Sequence, residues 1–190
     1  MKTERYNIFR RVHKNLGCLL FDTGARFQRL DNTDPEEMNI LMEQIMGVTE
    51  YFEHHIRREE YVIYNAVATI APFIVSEMER ADEKNSCIAF TIEKVIEPLY
   101  PMTNSTRQEI ITELQTLFFS FTAAVLLQIN KEVTVINELL WENYTDDQLM
   151  SLEESLMEMS QPDRFSQERN FELTNNTEIR LSYINSVEAA

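Results

Sequence analysis

The chain has 190 residues, 44% of them hydrophobic, with only three glycines and five prolines, which is the composition of a single compact and largely helical domain. A formal charge of −15 and a sequence pI near 4.6 argue against nucleic acid and anionic membrane as partners, because both would be repelled over the whole surface, and leave a cationic ligand or a metal as the compatible guest. No apolar run approaches the roughly 18–20 residues of a transmembrane helix, and "MKTERYNIFRR" has no apolar signal-peptide core, so a soluble, cytoplasmic protein is expected.

The first predicted helix covers 3–30. Read in alternating steps of three and four, its inward seam is Tyr6, Phe9, His13, Leu16 and Leu20. "DNTDPEE" at 31–37 closes this helix and opens the next: Asp34 caps free N–H groups, Pro35 fits a first turn, and Glu36 and Glu37 suit the positive end of the dipole. The second helix, 35–70, has the seam Leu41, Ile45, Val48, Phe52, His55, Glu59, Val62 and Ala66. After the Ala71–Pro72 corner, the third, 72–99, presents Val75, Met78, Asp82, Asn85, Ala89, Ile92 and Ile96. "YPMTNST" at 100–106 leads to the fourth, 105–142, with Leu114, Phe118, Phe121, Val125, Gln128, Glu132, Val135 and Leu139.

Four segments of about 28–38 residues, about 40–55 Å each, joined by short loops, predict an all-α, antiparallel up-down-up-down four-helix bundle over 1–145. Thr145 before "DDQL" starts a shorter fifth helix, and "NNTEIRLSYINSVEAA" reads as another after a polar linker. Residues 146–190 are therefore expected to be a helical appendage packed on or beside the bundle.

Every seam is apolar except near its middle, and the interruptions fall at matching heights. Measured from the first loop, His13 lies about 19 residues back and His55 about 23 forward, close to 30–35 Å each way. Glu59 and Asp82 lie about 12 and 10 residues from the Ala71–Pro72 corner, and Asp82 and Gln128 about 20–24 from the third loop, by the same rise. His13, His55, Glu59, Asp82, Gln128 and Glu132 thus converge on one layer, where burying polar groups without partners is costly and a shared cation would neutralise the excess of carboxylates.

The chain also repeats itself. "HIRREEYVI" at 55–63 aligns with "QINKEVTVI" at 128–136, and "HKNLGCLLF" at 13–21 with "DEKNSCIAF" at 82–90. The repeat describes two helical hairpins, each giving one polar residue from its first helix and an i, i+4 pair from its second: His13, His55 and Glu59, then Asp82, Gln128 and Glu132. Cys18 and Cys87 match within it, follow no zinc spacing, and are expected to be reduced core thiols.

"RYNIFRRVHKNL", "DNTDPEE", "HIRREEYVIYNAV" and "QINKEVTVINELLWENYTDDQL", in that order, resemble the hemerythrin-like, HHE cation-binding family over about residues 5–145. The resemblance implies a four-helix bundle holding iron, as a di-iron pair or a mononuclear site, with histidine and carboxylate ligands. Carried over by position, His13, His55, Glu59 and Glu132 match the expected ligand types, while Asp82 and Gln128 stand where the family places histidines. His54 lies off the seam.

Manganese and zinc suit the same ligand set. The half with His13, His55 and Glu59 is expected to hold metal more tightly than the half with Asp82, Gln128 and Glu132; for Gln128 a hydrogen-bonding role is favoured, and for Asp82 both roles stay open. The implied roles are oxygen or nitric-oxide sensing, oxygen binding or iron handling, with a small diatomic ligand as a second guest. The alternative is a metal-free structural or interaction module serving a protein partner or a second copy of the chain. No nucleophile with an adjacent base and no phosphate loop suggests a different enzyme.

Overall fold

The computed structural model describes residues 5–96 and 104–159, and every regular element among them is helical. The elements are α1 (Phe9–Arg29), α2 (Pro35–Glu59), a π-helical turn π1 (Glu60–Tyr64), α3 (Asn65–Ala68), α4 (Pro72–Ile96), α5 (Asn104–Lys131), a second π-helical turn π2 (Glu132–Ile136), α6 (Asn137–Asn143) and α7 (Asp146–Glu158). α1 packs against α2 and α5, and α4 packs against the same two. The predicted helix within 175–190, and the loop at 100–103, lie outside the described residues.

Local chemistry sets the starts. Asp34 Oδ1 accepts from the backbone N–H of Glu36 at 2.8 Å, with Pro35 in the first turn. Thr145 and Gln148 form a reciprocal capping box at the head of α7. The first helix begins at Phe9 rather than near residue 3, because the segment before it is used otherwise. Arg5 donates to Asp146 Oδ1 at 2.7 Å and to the carbonyls of Trp141 and Tyr144 at 2.7 and 2.6 Å. Trp141 Nε1 returns a bond to the Tyr6 carbonyl at 2.7 Å, and the Tyr6 hydroxyl donates to Glu153 of α7. With Leu149 and Leu156 buried in the core, α7 is stitched to the start of the chain.

The two π turns correct the predicted seams. Each stands directly at a seam glutamate, Glu59 or Glu132, and the wider turn sets the following residues one position out of α-helical register. Beyond the first, Ile63 and Val67 are fully buried whereas Ala66 is only partly so; beyond the second, Ile136 and Leu140 are fully buried, and Val135 and Leu139 only partly. Up to each glutamate every predicted seam residue is buried, Tyr6 only partly.

Two apolar clusters form the core. One holds Leu16, Leu20, Ile45, Phe52, Ile92, Phe118 and Phe121 among others, with the Phe52 and Phe121 rings edge to face at 5.1 Å. The other gathers Phe9, Val12, Ile63, Met78, Ile136 and Leu149. Along α1, along α2 with π1, along α4, and along α5 with π2, the polar residues fall between a stretch in one cluster and a stretch in the other.

Two further expectations change. The run Ile110–Asn143 contains a stretch long and apolar enough to cross a membrane by length and composition, with hydropathy 1.7, because Ser, Thr and Gln rather than charges interrupt its apolar residues. Leu114, Phe118, Phe121 and Val125 of that run are core residues. Cys18 is exposed and Cys87 half-buried, so neither is a fully buried core thiol. Cys18 lies two residues from Leu16 and from Leu20, on the opposite side of α1 from the seam.

Candidate metal centre

α1 contributes His13, α2 contributes His55 and Glu59, α4 contributes Asp82, and α5 with π2 contributes Gln128 and Glu132. All six are buried. His13, His55, Glu59 and Glu132 form one group whose ligand atoms all lie within 4.8 Å of one another. His13 Nε2 is 2.9 Å from Glu59 Oε1 and 3.1 Å from Glu132 Oε2, and His55 Nε2 is 3.2 Å from Glu59 Oε2. Donors bound to one ion at about 2.1 Å lie no more than about 4.2 Å apart, so the short pairs already fit and the longest must close slightly.

This group has capacity left over. Glu59 Oε2 and Glu132 Oε2 are buried and make no hydrogen bond despite the nearby imidazoles, and the Nδ1 atoms of His13 and His55 are likewise without a partner. Buried polar atoms in native proteins are nearly always satisfied, so two orphaned carboxylate oxygens beside the imidazole Nε2 atoms leave a place for a cation. The donor set, imidazole nitrogen with carboxylate oxygen, suits iron, manganese or zinc.

Asp82 and Gln128 belong to an adjoining network. The Gln128 side-chain amide donates to Asp82 Oδ1 and, at 3.0 Å, to Glu132 Oε1, while its oxygen accepts from Asn85 Nδ2 at 2.7 Å. The Tyr64 hydroxyl lies 2.8 Å from Asp82 Oδ2 and 3.3 Å from Glu132 Oε1, donating into the same pair of carboxylates. Glu132 therefore spans both regions, Oε1 in the network and Oε2 beside His13.

Burial is the largest influence on the ionisable groups. It raises Glu59 to about 7, helped by the charge of Glu132 and opposed by His13, and raises Asp82 to about 8 against the hydrogen bond from Gln128. The same burial would lower His13, but the negative carboxylates of Glu132 and Glu59 beside it prevail and lift it to about 9. His55 is held well below the ordinary histidine value by burial and by the charges of His13 and Arg58. Burial and three carboxylates keep Tyr64 protonated as a donor.

His54 lies apart, 3.8 Å from Glu50 on a half-exposed flank. The sequence reading missed Tyr64 and Asn137 and left Asn85, a seam residue, uncounted. Asn137 is fully buried with neither side-chain polar atom hydrogen-bonded. The repeat carries the missing signal: Tyr64 and Asn137 each stand five residues beyond an aligned glutamate.

No family model matches the chain, and neither a curated protein nor a solved structure does. What defines the chain is its own architecture. Its described residues form an all-helical structure with a buried histidine–carboxylate cluster able to hold a metal ion.

Proposed function

We propose that this chain is a hemerythrin-like cation-binding protein, an antiparallel up-down-up-down bundle that binds iron through His13, His55, Glu59 and Glu132. The observation that carries the proposal is the set of buried ligand atoms within 4.8 Å, two of whose carboxylate oxygens have no hydrogen-bond donor. Pairwise packing of α1 with α2 and of α4 with α5 fits the repeated hairpins. Iron follows from the resemblance and from a donor set suited to it, and sensing of oxygen or nitric oxide, oxygen binding or iron handling are the roles consistent with it.

The test is metal analysis and absorbance of protein produced with added iron, alongside thermal unfolding with and without metal. Iron retained through purification, with a raised unfolding temperature, is the expected result, since a ligand that prefers the folded state must stabilise it.

A second reading has its own observation. His13 lies between two carboxylates and Gln128 closes the rest of the layer, so the polar groups partly neutralise one another without an ion. A metal-free module of this kind would show no bound metal and unchanged stability when iron, manganese or zinc is added.

A further inference from the structure

We infer that the layer takes one cation rather than two, because the Gln128 amide occupies the place in the second hairpin where a second ion would sit. This inference rests on the metal reading of the first half. The repeat makes Asp82, Gln128 and Glu132 the counterparts of His13, His55 and Glu59, so each hairpin supplies one side chain from its first helix and an i, i+4 pair from its second. Identical backbone placement would give two equivalent ion positions. The side chains make them unlike.

In the second half every oxygen that faces inward is used. Gln128 Nε2 carries two N–H groups, and its two acceptors are Asp82 Oδ1 and Glu132 Oε1. Tyr64 serves Asp82 Oδ2 and the same Glu132 oxygen. The Gln128 oxygen, the one atom of the amide that could ligate, is turned away to Asn85 Nδ2. A cation entering between Asp82 and Glu132 would meet the amide nitrogen, which has no lone pair to offer, and would have to break the three hydrogen bonds of the Gln128 amide to displace it.

In the first half the equivalent position holds His55, whose nearest carboxylate oxygen, Glu59 Oε2, lies 3.2 Å away and unbonded. The one carboxylate shared between the halves directs its unbonded oxygen, Glu132 Oε2, to the first half. Gln128 is therefore the residue that sets stoichiometry. Its amide does the work of a bridging positive charge, binding two carboxylates together through N–H groups.

The experiment is metal titration of the full chain with manganese, read by native mass spectrometry and by electron paramagnetic resonance, on the wild type, Gln128→His and Gln128→Glu. The wild type should bind one ion per chain with the six-line spectrum of an isolated manganese. Gln128→His restores the imidazole–carboxylate pair of the first hairpin, and Gln128→Glu leaves three carboxylates that need a cation. Each should bind two ions per chain with a spin-coupled spectrum.

Folded variants that still bind one ion would overturn the inference. Should neither variant fold, the wild type decides, through the Gln128 side-chain amide in nitrogen-15 spectra of zinc-loaded protein. Slow hydrogen exchange of that amide at one zinc per chain supports the inference. Rapid exchange, or two ions in the wild type, overturns it while leaving the metal reading intact, whereas no metal at all overturns both.

Discussion

The two halves of the polar layer are built on the same helical framework and end in opposite states. Around His13, His55 and Glu59, buried nitrogen and oxygen atoms are left without partners. Around Asp82, Gln128 and Tyr64, both oxygens of the aspartate and all three polar atoms in play on the glutamine and tyrosine are engaged. The difference lies in donor count. Imidazole brings at most one N–H when neutral, whereas an amide brings two and a phenol one more, enough to engage both oxygens of Asp82 and one of Glu132. Helix geometry places a polar layer, and residue type decides whether that layer is open to a cation or closed against one.

The sharpest way to break this contrast is to remove one residue from each half. His55→Ala should abolish metal binding, a loss beyond the roughly 10–100-fold that outer hydrogen-bond partners of a site command. Gln128→Ala should change affinity for the first ion by less than about tenfold on the same scale. Isothermal titration with zinc measures both, and equal losses would erase the distinction between the halves.

A smaller effect separates Tyr64 from Asn137, the counterparts beyond the two π turns. Tyr64→Phe removes a donor from buried Asp82 and should destabilise the metal-free protein by about 1–3 kcal/mol. Asn137→Leu replaces an amide with no partners by an apolar side chain of similar size, and should be neutral or stabilising. Urea denaturation of chelator-treated protein checks both signs.

The subtlest difference is in pH dependence. In the metal-free protein Glu59 rises from 4.5 to about 7, Asp82 from 3.8 to about 8, and His13 from 6.5 to about 9. Each is raised on folding, so its contribution is complete below the unfolded value and lost as pH climbs through the folded one. His55 is depressed and acts oppositely, costing stability as pH falls below about 6.5. The metal-free protein should lose unfolding temperature between pH 6.5 and about 9, where the folded protein keeps protons on Asp82 and His13 that the unfolded chain has released. Metal-loaded protein should lose less, because deprotonated ligands bind the ion better as pH rises. Parallel melting curves across that range test the difference.

Much of this was legible in the sequence because a seam of threes and fours keeps its phase along an α-helix. Leu41, Ile45, Val48 and Phe52 lead to His55 and Glu59 without a break, and Phe118, Phe121 and Val125 lead to Gln128 in the same way. Phase is what failed beyond Glu59 and Glu132. A π turn leaves no clear mark in composition, so Tyr64 and Asn137, which a regular helix would turn off the seam, are buried. The attachment of α7 was hidden for another reason: Arg5 bonds mostly to backbone carbonyls of Trp141 and Tyr144, acceptors that every residue carries.

The asymmetry of the layer is tested most directly by anomalous diffraction from crystals of the zinc- or iron-loaded protein, recorded at the absorption edge of the metal. One peak per chain is predicted, bounded by His13, His55, Glu59 and Glu132, with none between Asp82 and Glu132. A peak beside Gln128, or none within the bundle, would contradict the account.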